Sequence, residues 1–495
     1  MLFTSITFGL FFLALFILYW FIFYKDINIQ NAFLLIASYI FYGWFDWYFL
    51  LLLFSVSLAN YSIALLIQKS RHGLFRKVIY FSGLAINLGT LVIFKYFNFF
   101  IDNLNRIFSF IGFHHELYVE NLLLPIGISF YIFLSLSYII DVYHRRINAV
   151  NNVIEVLLAI AFFPIILAGP IHRPINLLPQ IKHKRIFTAA HATDGLKQIL
   201  WGVFMKVAVA DNCALQTTGI FNNLPSYHGS TLLLGIFLFS IQIYADFAGY
   251  SNIAIGIGKL LGFNIMKNFS YPYFSRDIKT FWRSWNISLT GWFRDYIFLP
   301  IAYFISGKVK SERLFYIKTE YFVYIIGISI TWVLTGLWHG ANYTFIIWGL
   351  FQGLLLIIYQ IFSKPRRKLL RNMQINSNNK ILIIIETGFT FFLIMFSWIL
   401  FRADNLSQAL SYIYRICSDS LFSLPQLSGL TGILNTFFLI SIFLFIEWTG
   451  KNQDYAIASL GCKWPKSIRW SMYYAIILMI FWFSGESYQF IYFQF

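Results

Sequence analysis

His339 is the residue of this sequence best suited to proton transfer in an apolar setting. It is the sole histidine in a run of forty-two residues, 321–362, that contains no Asp, Glu, Lys or Arg. Burial penalises the charged form of an imidazole, and the neutral form can accept a proton as a general base. The alternative is a core histidine that bonds to a neighbouring carbonyl. The flanking Gly336 and Gly340 predict a close approach of backbone or ligand where two spans meet.

Residues 271–296 combine large aromatic side chains with cations. Placed on one helix that begins near Asp277, they form two stripes at spacings of three and four. The apolar stripe comprises Ile278, Phe281, Trp282, Trp285, Leu289, Trp292, Phe293 and Tyr296. The polar stripe comprises Lys279, Arg283, Asn286, Thr290 and Arg294. An interfacial helix with its cations at the lipid headgroups explains this pattern, and the same face could also receive an anionic donor. The carboxamide of Asn286 could donate to a developing oxyanion without carrying charge.

The third polar group lies in residues 242–252, QIYADFAGYSN, which precede Gly256, Gly258 and Gly262. Close helix packing through small residues accounts for most of this segment. Asp246 is the exception, because a carboxylate inside an apolar span needs a cation or a water-lined cavity. The glycines are not a dinucleotide fingerprint, since no alternating strand and helix pattern surrounds them.

The elements that must position these groups are apolar helices. The chain has 495 residues, of which 59% are hydrophobic and only 12% charged, against about a quarter charged in soluble proteins. Unbroken apolar runs predict an all-α, multi-pass membrane protein with about 11–12 transmembrane helices. We expect one domain spanning residues 1–495. Residues 153–169, followed by His172 and Arg173, are short and flanked by basic residues, which predicts a re-entrant element buried within protein.

The net charge of +17 has a topological explanation. Lys and Arg lie in short loops between apolar runs, as the positive-inside rule requires, so nucleic acid is not an expected partner. A smaller share of the charge could serve anionic headgroups or a phosphorylated donor. Cys213, Cys417 and Cys462 are widely spaced and indicate neither a disulfide framework nor a metal site.

Six segments and the chain end together resemble the membrane-bound O-acyltransferase family, in its bacterial branch of alginate O-acetylation proteins and D-alanyl transferases. The matching segments are LPIGISFYIFLSLSYIIDVYHRR (124–146), FFPIILAGPIHRP (162–174), QIYADFAGYSNIAIGIGKLLGF (242–263), NFSYPYFSRDIKTFWRSWNISLTGWFRDYIFLP (268–300), LTGLWHGANYTFIIWGLFQG (334–353), FSWILFRA (396–403) and FIYFQF (490–495). The resemblance runs along the whole chain in the usual order. It implies a helical bundle, with re-entrant or interfacial helices, around a central funnel or tunnel.

The resemblance also implies roles for individual residues. The family's deep histidine corresponds to His339 through LWHG, and its second polar position corresponds to Asn286. Alginate-type members usually carry His at that second position, whereas eukaryotic relatives that acylate lipids carry Asn. The residues expected to bind substrate or donor are Lys279, Trp282, Arg283, Trp285, Arg294, Asp246 and Trp338. A second departure follows Pro300, where relatives have a glycine-rich basic loop and this chain has IAYFISGKVK.

The resulting hypothesis is an O-acyltransferase of the bacterial cytoplasmic membrane. It would move an acyl group, expected to be acetyl, from a cytoplasmic thioester (acetyl-CoA or an acyl carrier) to a hydroxyl of an extracytoplasmic glycan or peptidoglycan. His339 would act as general base or as a transient acyl carrier, and Asn286 would stabilise the oxyanion. No permanently bound cofactor is expected, and the resemblance implies a periplasmic hydrolase-like partner. Two alternatives remain at this point: a proton-coupled transporter or flippase, and an inactive scaffold of the same fold.

Overall fold

The fold is almost entirely helical. A computed structural model describes residues 1–70, 73–113, 117, 122–309, 311–314, 317–426, 429–485 and 488–491. Within these ranges, eight helices are long and apolar enough to cross a membrane: Trp47–Lys69, Leu74–Phe110, Ala189–Asn222, Gly229–Leu260, Thr319–His339, Tyr343–Asn372, Lys380–Arg402 and Leu430–Gly450. Four shorter apolar helices are Ile6–Ile22, Ile27–Gly43, Ile128–Tyr143 and Val153–Ile166. The protein is therefore an all-α, multi-pass membrane protein, as the sequence predicts.

The chain divides into two compact units. Unit 1 comprises Met1–Ile199 and Tyr250–Met266, and unit 2 comprises Leu200–Gly249 and Lys267–Phe495. The helices of the first part of the chain are α1 (Ile6–Ile17), α2 (Ile27–Gly43), α3 (Trp47–Lys69), α4 (Leu74–Leu91), α5 (Phe97–Phe110), α6 (Ile128–Tyr143), α7 (Val153–Ala161), α8 (Phe163–Ile166), α9 (Pro174–Lys182) and α10 (Ala189–Val203). The π-helical turns Leu18–Ile22 and Val92–Tyr96 extend α1 and α4.

The remaining helices are α11 (Asp211–Asn222), α12 (Gly229–Leu260), α13 (Ile278–Ser284), α14 (Ile287–Phe293), α15 (Leu299–Lys308), α16 (Thr319–His339), α17 (Tyr343–Asn372), α18 (Lys380–Arg402), α19 (Leu406–Ile416), α20 (Leu430–Gly450) and α21 (Lys466–Trp482). π-Helical turns cover Phe204–Ala210 and Arg294–Phe298, and 3₁₀ turns cover Leu224–Ser226, Pro272–Phe274 and Asp419–Phe422. Strands β1 (Arg313–Leu314) and β2 (Ile317–Lys318) form a small antiparallel sheet in which Arg313 pairs with Lys318.

Short polar residues set the helix boundaries in both units. The carboxylate of Asp26 accepts the N–H of Asn28 at 2.7 Å at the start of α2, and that of Asp46 accepts the N–H of Tyr48 at 2.8 Å at the start of α3. Asn379 performs the same role for α18 by accepting the N–H of Ile381 at 2.9 Å. These caps satisfy donors that a helix start leaves without an intrahelical partner. They allow two tight passes, α2 and α3, to follow each other with a break at residues 44–46.

The interior of unit 1 holds the predicted re-entrant stretch. Residues 156–171 are continuously buried, across the short helices α7 and α8. Arg185 is buried in the same unit, and its Nη2 donates to Gln30 Oε1 at 2.9 Å and to Asn31 Oδ1 at 2.7 Å. His172 is also buried, and its Nε2 lies 3.3 Å from the N–H of Met266. Irregular backbone of this kind is tolerated at membrane depth only where protein surrounds it.

Candidate active site

His339 is the last residue of α16, and α17 begins four residues later at Tyr343. The two helices pack backbone to backbone, because a Cβ at Gly336 would collide with the carbonyl oxygen of Phe345 and one at Gly349 with that of Trp332. Glycine is therefore required at both positions for this close approach. The predicted junction of two spans at His339 is confirmed.

The His339 side chain is only 5% exposed and is surrounded by aromatic rings. Its ring centroid lies 4.7 Å from Trp338, 5.0 Å from Trp348 and 4.9 Å from Phe401. These three contacts are edge-on, the arrangement that aromatic quadrupoles favour. The imidazole is thus enclosed by protein and does not face the lipid.

The predicted continuous helix over residues 277–296 is wrong. It begins as expected, with the Asp277 carboxylate accepting the N–H of Thr280 at 2.8 Å. It then breaks between α13 and α14 at Asn286, whose φ of 43° and ψ of 54° are left-handed. Asparagine is among the few non-glycine residues that adopt this conformation readily. The break explains why Asn286 is only 3% exposed, although helical spacing assigned it to the cationic stripe.

Residues 268–270 hold this break in place. The N–H of Ile287 donates to the carbonyl oxygen of Asn268 at 2.8 Å, and the N–H of Ser270 donates to that of Ser284 at 2.9 Å. The hydroxyl of Ser288 donates to Asn268 Oδ1 at 2.8 Å. Asn268 is fully buried and supports the residues that follow Asn286. Sequence reasoning missed it; its one signal was its position at the start of the matching segment 268–300.

Five tryptophans connect the two predicted catalytic positions. This tryptophan cluster comprises Trp282, Trp285, Trp332, Trp348 and Trp398. Trp285, next in sequence to Asn286, lies 5.1 Å from Trp398, which stacks at 5.9 Å on Trp348, the ring in contact with His339. Trp282 lies 5.8 Å from Trp348, and its indole N–H donates to Gln352 Oε1 at 3.2 Å. The aromatic stripe is buried inside the protein, whereas an interfacial helix would expose it to lipid, and the cluster fixes the elements that carry His339 and Asn286.

The predicted donor-binding cations lie outside this cluster. Arg283 and Arg294 are exposed and Lys279 is half-buried. Arg294 Nε donates to Asp295 Oδ1 at 2.7 Å. The structure therefore gives the segment a buried aromatic side and a surface cationic side, as its sequence pattern predicts. The donor-binding roles of these cations remain predictions.

Asp246 has the cation that its depth requires. Its Oδ1 lies 2.8 Å from Lys206 Nζ, and its Oδ2 accepts the N–H of Ile491 at 2.8 Å. Lys206 also pairs with Asp211 at 2.8 Å and donates to the carbonyl oxygen of Tyr488 at 3.0 Å. These contacts give Asp246 a structural task, and its predicted role in binding substrate is not tested by them. Lys206 was missed, although a lysine within an apolar run was its signal.

The small residues near Asp246 pack helices closely, as the sequence predicts. A Cβ at Gly249 would lie 2.8 Å from the carbonyl oxygen of Gly202, and one at Gly256 would lie 2.6 Å from that of Gly195. The unusual sequence after Pro300 continues helix α15, as far as Lys308. Lys310, and residues 492–495 of the chain-end match, lie outside the described residues.

Comparison with known proteins identifies the class. No family model matches the chain. A relative from Pseudomonas putida named probable alginate O-acetylase AlgI is 34% identical over an alignment of 492 positions, which covers 94% of each protein. The peptidoglycan O-acetyltransferase of Helicobacter pylori is 28% identical over an alignment of 514 positions, which covers 95% of this chain and 92% of that protein. The teichoic acid D-alanyltransferase of Bacillus subtilis is 30% identical over 261 residues, which cover 52% of this chain and 63% of that protein.

The chain belongs to the membrane-bound O-acyltransferase family. It is an O-acyltransferase, which confirms the predicted enzyme class.

Proposed function

We propose that this protein transfers an acetyl group from a thioester donor to a hydroxyl of a cell-envelope polysaccharide or peptidoglycan. The observation that carries the proposal is the similarity to an alginate O-acetylase along 94% of the chain, together with an enclosed imidazole at the helix junction. Two of the relatives named above are called O-acetyl enzymes and one a D-alanyltransferase. We therefore infer that the acyl group is acetyl. We infer a cell-envelope polymer as the acceptor, because the names of all three relatives contain such a polymer.

His339 acts as the general base in this proposal. The acceptor hydroxyl attacks the thioester carbonyl carbon while the imidazole takes the hydroxyl proton, and a tetrahedral oxyanion forms. The carbon–sulfur bond then breaks, and the leaving thiolate takes the proton from the imidazolium. The contacts of His339 with Trp338, Trp348 and Phe401 support this role, because they hold the imidazole in one position at the junction of α16 and α17.

Asn286 stabilises the oxyanion in the same proposal. Its burial in a left-handed turn, held by Asn268, supports a fixed carboxamide and not a mobile surface group. Preorganised donors of this kind cost no reorganisation at the moment of reaction, and the loss of one typically lowers the rate by about 100–1000-fold.

The charges and the membrane setting support a choice of donor and of direction. We infer a cytoplasmic donor, acetyl-CoA or an acyl carrier thioester, whose phosphates are attracted by Lys279, Arg283 and Arg294. The acceptor lies on the opposite side of a bacterial cytoplasmic membrane. A periplasmic hydrolase-like partner acts together with this protein at the polymer, as the family resemblance implies.

The test uses the full chain purified in nanodiscs. Protein is incubated with radiolabelled acetyl-CoA and candidate glycans, and loss of the thioester and label on glycan are both measured. His339→Ala is expected to lower turnover by about 100–10,000-fold, the range of general base catalysis. His183→Ala is the matched control, because His183 is an exposed histidine outside the site; it should retain full activity.

Three other outcomes would be informative. Turnover unchanged by His339→Ala, with the variant folded by its thermal transition, would reject His339 as the base. Absence of turnover with every donor would favour an inactive scaffold. If solute flux accompanied that absence, the transporter alternative would replace the enzyme.

A further inference from the structure

A cavity of about 600 Å³ lies in unit 2 between α17, α18 and the start of α13. It is lined by none of the five tryptophans and by neither His339 nor Asn286. Ligand sites in proteins have volumes of about 300–1,000 Å³, so a substantial molecule fits. The reaction proposed above gives this cavity no task.

The cavity is polar at one end and apolar at the other. Arg366 of α17 and Glu386 of α18 line the end nearest the connection between these two helices, whereas Leu355 and Leu393 line the opposite end. Arg366 and Leu355 are eleven positions apart on α17, which corresponds to about 16 Å along the helix axis. The hydrocarbon of a bilayer is about 30 Å thick, so the cavity has the length of one leaflet.

Some of the residues that line the cavity are also exposed on the outer surface of the protein. Ile358 is 43% exposed, Phe362 is 59% exposed and Phe389 is 62% exposed, and all three line the cavity. On membrane-spanning helices, exposed side chains of this kind contact lipid. A ligand would therefore enter laterally from the hydrocarbon and not from water.

The lining of the cavity holds two guanidinium groups, Arg276 and Arg366, and two carboxylates, Asp277 and Glu386, so its net positive charge comes from the adjoining end of α17. Glu386 is shared by two guanidinium groups, since it accepts from Arg276 Nε at 2.8 Å and also pairs with Arg366. Each guanidinium has five N–H donors, so capacity remains after this pairing. Helix α17 contains five cations near its end and no acidic residue: Lys364, Arg366, Arg367, Lys368 and Arg371. This end is complementary to a phosphate group.

We propose that the cavity binds an anionic phospholipid, with an acyl chain between α17 and α18 and its phosphate at Arg366. The positive-inside rule assigns the cationic end to the cytoplasmic leaflet, and basic pockets between helices on that side suit anionic headgroups. The lipid fills a cleft between two helices of the unit that carries His339. This inference goes beyond acyl transfer and does not depend on it.

The test measures lipid binding to the delipidated full chain by native mass spectrometry in detergent. Dioleoyl phosphatidylglycerol is expected to bind at least about tenfold more tightly than dioleoyl phosphatidylcholine, because charge-assisted hydrogen bonds to phosphate gain from net negative charge. Arg366→Gln should weaken phosphatidylglycerol binding about tenfold, while Arg276 still holds Glu386. Arg371→Gln removes the same charge from the same helix but does not line the cavity, and should change binding less than about twofold. Ile358→Trp should fill the apolar end and weaken both lipids.

Several results would overturn the proposal. Equal affinity for the two lipids, or equal losses in Arg366→Gln and Arg371→Gln, would replace a site with diffuse attraction. Glycerol 3-phosphate binding as tightly as the lipid would assign the polar end to a free phosphate. Displacement of phosphatidylglycerol by acetyl-CoA would assign the cavity to the donor. Thermal transitions identify any variant that fails to fold, and equal affinity of the unmodified chain for the two lipids overturns the proposal without any variant.

Discussion

Substitution of Asn286 can separate the role of its backbone from the role of its carboxamide. At φ 43° and ψ 54°, alanine suffers a steric cost of about 1–2 kcal/mol, whereas glycine populates this region freely. Asn286→Ala should therefore be less stable than Asn286→Gly by about 1 kcal/mol, a thermal shift on the order of 2 °C for a large chain. Both variants lack the carboxamide, so both should lose about 100–1000-fold in turnover.

The assay combines thermal unfolding in detergent with turnover of labelled acetyl-CoA in nanodiscs. Asn286→His is the matched variant, because histidine is also enriched in the left-handed region and its ring can donate a hydrogen bond. We expect this variant to fold and to retain more activity than Asn286→Gly. The ratio of activities between the two variants then reports the hydrogen-bond donor alone.

Two results would refute this reasoning. Full activity in Asn286→Gly would show that the carboxamide takes no part in catalysis and that asparagine serves only the turn. Equal stability of Asn286→Ala and Asn286→Gly would contradict the left-handed backbone at this position.

Three further predictions concern stability. Lys206→Met should destabilise the fold by about 3–5 kcal/mol, because it leaves two buried carboxylates without their cation. Asp246→Asn should destabilise it less, because the lysine keeps Asp211 as a carboxylate partner. Denaturant unfolding of the two variants compares these losses, and a larger loss in Asp246→Asn would contradict the prediction. Gly336→Ala should destabilise the fold by about 1–3 kcal/mol, because the added methyl group collides with a carbonyl oxygen of α17. At Gly388 an added methyl group meets no other atom, so Gly388→Ala should stabilise the fold by up to about 1 kcal/mol. Equal effects of the two substitutions in thermal unfolding would exclude the close packing at Gly336. Burial lowers the pKa of His172 from 6.5 to about 4, so the unfolded chain binds the proton first as pH falls. The free energy of unfolding should therefore decrease between pH 6.5 and 4 by up to about 3 kcal/mol. His172→Gln should flatten this part of the pH–stability curve, and an unchanged slope would reject the lowered pKa of His172.

The positions of single helices were predictable where local signals are strong. Asp26, Asp46 and Asp277 precede apolar runs and cap helices, because a carboxylate at a helix start satisfies a backbone donor that has no other partner. The glycines around His339 similarly marked the end of one helix and the start of the next. For the three caps the deciding interaction joins residues two or three positions apart, so one short stretch of sequence contains all the information. The contact of Gly336 with Phe345 spans nine positions, and the sequence indicated only that a close approach occurs there.

The partners of buried polar groups were not predictable in the same way. The sequence showed that Asp246 needed a cation, but Lys206 is forty positions away and is reached only through helix packing. The helical spacing of residues 277–296 also assigned Asn286 to the same polar stripe as Arg283 and Arg294, which are exposed. Asn268, eighteen positions earlier, accepts the N–H of the residue after the break, and no periodicity within the segment could reveal this.

The sequence by itself therefore determined that this protein lies in a membrane, that one histidine lies deep in an apolar run, and that the segment carrying Asn286 has an aromatic side. These follow from composition and from the free energy of placing charge in hydrocarbon. Only the tertiary structure decided that Asn286 turns inward and that Trp348 and Trp398 connect its neighbour Trp285 to His339. The physical reason is that hydrogen bonds and ring contacts between distant segments outweigh the weak local preference of one helical turn.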